Sequence, residues 1–137
     1  MSADFALQKA IYGALIADAD VAAIVAARVF DFVPRDAAFP YLVIGDARER
    51  DWSTGDSPGS DLRLTLRAHS RAGGRREAKQ LIAAMRQALT GRDLAPNGFH
   101  TLGLYFVGAG TSLAADGMTW TGTLELRALM EPSEIGL

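Results

Sequence analysis

Two stretches of this chain alternate apolar and polar residues so regularly that they leave little choice of fold. From Asp61 to His69, Leu62, Leu64, Leu66 and Ala68 fall on one side, and Arg63, Thr65, Arg67 and His69 on the other. From Met118 to Met130, Trp120, Leu124, Leu126, Ala128 and Met130 oppose Thr119, Thr121, Thr123, Glu125 and Arg127. Successive side chains of a strand point to opposite faces, so each stretch predicts a strand with one face in a core and one wet. Such a sheet needs a cover. The segment Arg75 to Leu89 supplies one, because Ala78, Leu81, Ile82, Met85 and Leu89 form an apolar stripe at helical spacing.

The rest of the chain fits around this frame. Phe5 to Ala17 predicts a helix with Leu7, Ile11 and Leu15 on its inner face, capped by Ser2 or Asp4. Asp18 and Asp20 open a short second helix through Val21, Ile24 and Val25. Arg28 to Phe32 is a short β run ended by Pro34, and Asp36 to Pro40 a turn. Tyr41 to Ile44 starts a central strand that continues through Asp46, Arg48 and Arg50. Gly73-Gly74 precedes the strong helix and Thr90-Gly91 ends it. Leu102 to Val107 is a further strand, with a bulge at Gly108 to Gly110 and a turn at Ala114 to Gly117. Ser53 to Ser60 is expected to be a mobile loop, too long for a two-residue hairpin turn and without an apolar anchor. Glu131 to Leu137 is expected to be a flexible C-terminal tail. The order of helices and strands lacks βαβ alternation, and 137 residues, 49% of them hydrophobic, suit one core. The prediction is a single α+β domain: a mostly antiparallel sheet with two main helices packed on one face.

Little in the sequence carries chemistry. Without cysteine there is no disulfide, thiolate zinc site or cysteine nucleophile. His69 and His100 lie 31 residues apart on different elements, with no metal-ligand spacing between them. Ser70 adjoins His69, but neighbours on a strand point to opposite faces and form no nucleophile–base pair. Gly108-Ala109-Gly110-Thr111 lacks the Gly-Lys-Ser/Thr ending of a phosphate loop. The chain is therefore expected to be non-enzymatic, with no catalytic, cofactor-binding or metal-binding residues. An acidic start and the lack of a long apolar run predict a soluble protein that remains inside the cell when made.

Charge is the more informative feature. Residues 1–61 carry a net −5, residues 62–92 a net +7 and residues 93–137 a net −4. Such segregation suits either a nucleic-acid face or a subunit whose basic face meets the acidic face of a neighbour. No aromatic residues are interleaved with Arg71, Arg75, Arg76 and Lys79, which favours the neighbour over a single-strand platform. Trp52, beside the polar loop and outside the core pattern, is an aromatic interface anchor. Trp120 belongs to the core pattern. The candidate subunit or partner interface is thus Trp52, Arg71, Arg75, Arg76 and Lys79.

A wider pattern links these pieces. It comprises Leu7-Gln8-Lys9-Ala10-Ile11-Tyr12, Arg28-Val29-Phe30-Asp31 with Pro34, and Phe39-Pro40-Tyr41-Leu42-Val43-Ile44-Gly45. It continues with Leu62-Arg63-Leu64-Thr65-Leu66, Ser70-Arg71 leading to Arg76-Glu77-Ala78-Lys79, Asp116-Gly117-Met118-Thr119-Trp120, and Leu124 to Leu129. In order and spacing these resemble the phage tail-terminator, or tail-completion, proteins, also found in gene-transfer agents. The resemblance implies one such domain over residues 1–137. It implies a structural protein forming a sixfold ring that caps the head-proximal end of the tail tube and meets the head-completion (stopper) protein. DNA would pass through the lumen without specific binding, no membrane would be involved, and no catalytic residue is carried over. Assembly would take place in the bacterial cytoplasm, and the product would reside in a phage-like particle. A neck or stopper protein, a small α+β ligand-binding domain and a nucleic-acid-binding module remain alternatives at this point.

Overall fold

The computed structural model describes residues 1–90 and 94–133. Helix α1 (Ala3–Ala17) starts at Ser2, whose hydroxyl accepts from the Phe5 N–H, and buries Leu7, Ile11 and Leu15. It ends at Asp18, which at once caps α2 (Ala19–Val25) by accepting from the Val21 N–H at 3.0 Å. One residue thus closes one helix, its backbone N–H donating to the Leu15 carbonyl, and opens the next with its carboxylate, turning the chain back toward the sheet.

The sheet has five strands: β1 (Val29–Phe30), β2 (Tyr41–Asp51), β3 (Ser60–Ser70), β4 (Phe99–Leu113) and β5 (Trp120–Pro132). Their spatial order is β1-β2-β3-β5-β4. Only the β1–β2 pair is parallel, and the others are antiparallel. Helix α3 (Arg76–Leu89) connects β3 to β4 and lies across β3 and β5, with Leu81, Met85 and Leu89 buried beneath it. The core joins these to Leu7, Ile11 and Leu15 of α1 and to Leu62, Leu66, Leu124, Leu126 and Met130 of the sheet. All three helices cover one face; the other carries the arginines, threonines and His69. The expected α+β architecture is present.

Gly122 explains how closely α3 is seated. A Cβ there would lie 3.0 Å from Ile82 Cδ1 and 3.1 Å from the Ala78 carbonyl oxygen. Only glycine lets the first turns of the helix rest on β5 at that point.

Four expectations need correction. Ser53 to Ser60 does contain a two-residue hairpin turn: Thr54 and Ser57 exchange backbone hydrogen bonds of 2.8 Å around Gly55-Asp56, and the Trp52 N–H donates to the Gly59 carbonyl. The ladder of β2 and β3 therefore extends past its last paired strand residues. Glu131 and Pro132 belong to β5, opposite His100 and Phe99, so the expected tail begins inside the sheet. Its residues 134–137 lie outside the described residues. Strand β4 is far longer than the expected Leu102 to Val107, and its register shifts fall between Thr101 and Gly103 and between Phe106 and Gly108. These bulges break the period of two, which is why the pattern identified only its middle. Trp120 is half-buried rather than in the core, because it is the first residue of β5, at the rim of the sheet, where the guanidinium of Arg75 lies over its ring 4.4 Å from the centre.

Candidate assembly surfaces

The chain from the end of β3 to the start of α3 concentrates positive charge, and local geometry gives each cation a different task. Arg71 is committed within the molecule. Its Nε donates to Thr119 Oγ1 at 3.0 Å, it pairs with Asp116 at 3.4 Å, and its guanidinium lies 4.3 Å from the centre of the Phe39 ring. Asp116 in turn accepts from the Thr119 hydroxyl and from the backbone N–H groups of Met118 and Thr119. Those donors, with Arg71 beside them, hold its carboxyl well below the usual range. The tight turn they brace requires Gly117, whose φ is +71°.

Arg76 and Lys79 are exposed on the first turn of α3, and neither side chain has an ion-pair partner among the described residues. Arg76 borders a cavity of about 430 Å³ with Gly73, Gly74, Arg75 and Gln80. Lys79 borders another of about 410 Å³ with Ile82 and Ala109 to Thr111. Arg71, Arg75, Arg76 and Lys79 are thus brought together at one corner of the domain. Trp52 is not. It sits past the far end of β2, on the backbone of Gly59, while Arg71 follows the opposite end of β3. Eleven strand residues separate the two ends, roughly 35 Å at the rise of an extended chain.

Sequence reasoning missed the larger feature, the outer edge of β4. This strand ends the sheet, none of its residues is buried, and over Phe99–Leu113 it carries no Asp, Glu, Lys, Arg or Pro. Leu102, Tyr105, Phe106, Val107 and Leu113 are exposed along it. Arg86 of α3 lies over the Phe106 ring at 3.7 Å and shields only its helix side. Free edges are usually blunted by charge, proline or brevity, and here only the two bulges serve. The signal was present in the sequence as a 15-residue stretch without charge. A second patch, Phe5, Tyr12 and Ile16, runs along the outer side of α1.

On the face away from the helices, Arg127 grips Asp61 through two hydrogen bonds of 2.9 and 2.8 Å. The pairing holds the Asp61 carboxyl below its ordinary value of 3.8. His69 rests beside Tyr41 and lies 3.3 Å from Thr121 Oγ1. Burial and the neighbouring Arg67 lower its pKa. His100 lies in β4 opposite Glu131, two strands from β3.

Residues 9–131 match the family model described as tail completion protein gp17. Among solved structures, a chain from "Virion of native gene transfer agent (GTA) particle" superposes with a TM-score of 0.88 at 30% identity. That superposition covers 95% of this chain and 98% of the other. No curated protein matches. No helix among the described residues is long and apolar enough to cross a membrane.

Proposed function

The chain belongs to the tail completion protein gp17 family, a phage-tail structural family, and from that premise we propose that it is a ring-forming tail terminator. Six copies close the head-proximal end of the tail tube, stop its growth and present a docking face to the head-completion protein. The observation that carries this reading is the bare edge of β4. A strand of 15 residues without charge, lined by five exposed apolar side chains, is costly in a lone monomer and useful in an assembly that covers it. A ring needs one patch to meet a different patch next door, and the charge segregated along the chain, net +7 over residues 62–92 and net −5 over residues 1–61, offers two such patches. A net charge of −2 suits a lumen through which DNA slides without being held. The role is architectural and involves no reaction. Assembly takes place in the bacterial cytoplasm and the ring leaves in the particle.

The reading is tested by removing the gene and imaging the particles. Tails of uncontrolled length, unattached to heads, are expected. Tails of normal length that merely fail to join heads would contradict it and assign the chain to the neck.

A further inference from the structure

We propose that neighbouring copies are joined by a knob and a recess, with Phe32 of one copy seated against Leu113, Met118 and Trp120 of the next. The inference rests on the ring reading and names the residues that would build it.

Phe32 follows β1 and is 89% exposed, the most exposed large apolar side chain among the described residues. Nothing in its own molecule covers it. Two exposed carboxylates, Asp31 and Asp36, accompany it against one cation, Arg35. A bare phenyl ring on a net-acidic segment is an unfavourable surface for a free monomer, and a fitting one for an apolar site with an arginine beside it.

Such a site lies on the opposite edge of the sheet. Leu113 ends β4, Trp120 opens β5, and the Gly117-Met118 turn joins them. With Arg71 and Gly73 they border a cavity of about 500 Å³ that opens to solvent. Met118 is 57% and Leu113 46% exposed, so its apolar lining is wet in the monomer. Arg71 lies on its border, and Arg75 lies over the Trp120 ring. The knob's segment is net acidic; at the recess Asp116 offsets Arg71, which leaves Arg75, over the Trp120 ring, as the cation beside it with no ion-pair partner among the described residues.

Topology makes the contact intermolecular. β1 and β4 are the outermost strands of a five-stranded sheet, so knob and recess lie on opposite flanks. At roughly 5 Å per strand step Leu113 lies about 20 Å from β1, and although Arg71 on the recess border reaches back to Phe39, Phe32 itself stays 89% exposed and does not fill its own recess. A contact between two different patches propagates head to tail, and it closes into a ring when the rotation per copy allows. The recess also continues the bare edge of β4, since Leu113 belongs to both.

The absence of cysteine makes the test direct. Phe32→Cys and Met118→Cys are made separately and together, at positions exposed enough that folding is unaffected, and oxidised with tail tubes present. The two single variants mixed should give one disulfide-linked dimer, and each alone none. The double variant should give a ladder that stops at the ring order. Phe32→Ser should lower self-association by roughly tenfold or more, the usual cost of removing an aromatic anchor. Asp31→Lys should weaken it as well, with partial recovery on adding Arg75→Glu. Capped tubes without cross-links would overturn the pairing and leave the terminator role standing. Cross-links without capped tubes would keep the pairing and remove the role.

Discussion

Replacing Gly122 by alanine asks how much of the domain's stability depends on the close seating of α3. The new methyl would meet Ile82 Cδ1 at 3.0 Å and the Ala78 carbonyl oxygen at 3.1 Å, both inside ordinary contact distance. The isoleucine end can rotate aside. The carbonyl oxygen cannot, because it is fixed in the helix, so α3 must lift by a few tenths of an ångström. Overpacking of this kind costs about 1–3 kcal/mol. Restricting the unfolded chain by losing a glycine returns about 0.4–1 kcal/mol. At the midpoints of these ranges the net is a loss of about 1.3 kcal/mol, which for a chain of this size lowers Tm by about 5 °C. Thermal unfolding followed by circular dichroism measures the shift. Because the carbonyl is the rigid partner, adding Ile82→Val should recover only part of it. A Gly122→Ala variant as stable as the parent would refute the reasoning, and full recovery by Ile82→Val would assign the clash to the side chain alone.

Other outcomes follow from the same geometry. Leu124→Ala, at a fully buried site between sheet and helices, should cost about 2–5 kcal/mol in urea unfolding. Arg127→Met should lower Tm near neutral pH. Asp61 has a folded pKa below its unfolded value of 3.8, so its contribution is present above that value and lost as pH falls through the folded one. The gap between parent and variant should therefore close on acidification. His69 also has a folded pKa below its ordinary 6.5, so the folded state binds fewer protons and stability falls as pH drops through that value. Tyr41, Thr121 and Arg67 supply no carboxylate to offset the charge, and His69→Gln should flatten the dependence between pH 7.5 and 5.5.

What the sequence made legible was what backbone geometry imposes. Leu62 to Ala68 and Leu124 to Met130 alternate because one face of each strand meets the helices, and nothing interrupts the period. Leu81, Met85 and Leu89 mark α3 for the same reason. The order of all eight elements and the fold class followed from these regularities. β4 was only partly visible because an edge strand has no fully buried face, and its two bulges shift the period twice. The hairpin at Gly55-Asp56 was hidden by its polar flanks, which carry no apolar alternation to announce a ladder.

The candidate surfaces were legible in charge and not in shape. Arg71, Arg75, Arg76 and Lys79 lie between the end of β3 and the first turn of α3, but Arg71 uses its hydrogen bonds to brace the Asp116 turn and Arg75 lies over Trp120. Trp52 lies at the other end of the sheet, a separation that depends on the pairing of β2 with β3 and not on local sequence. Nor can a sequence show that Phe32 stays bare, since nothing local to it decides what covers its ring.

The most direct test of the central claim is electron microscopy of the purified protein mixed with the tail tubes of its own particle, with native mass measured alongside. Tubes blunted at one end by a ring of six copies, with no further growth when tube subunits are added, are expected. Tubes that keep elongating past bound protein, or a monomer that never touches them, would contradict it.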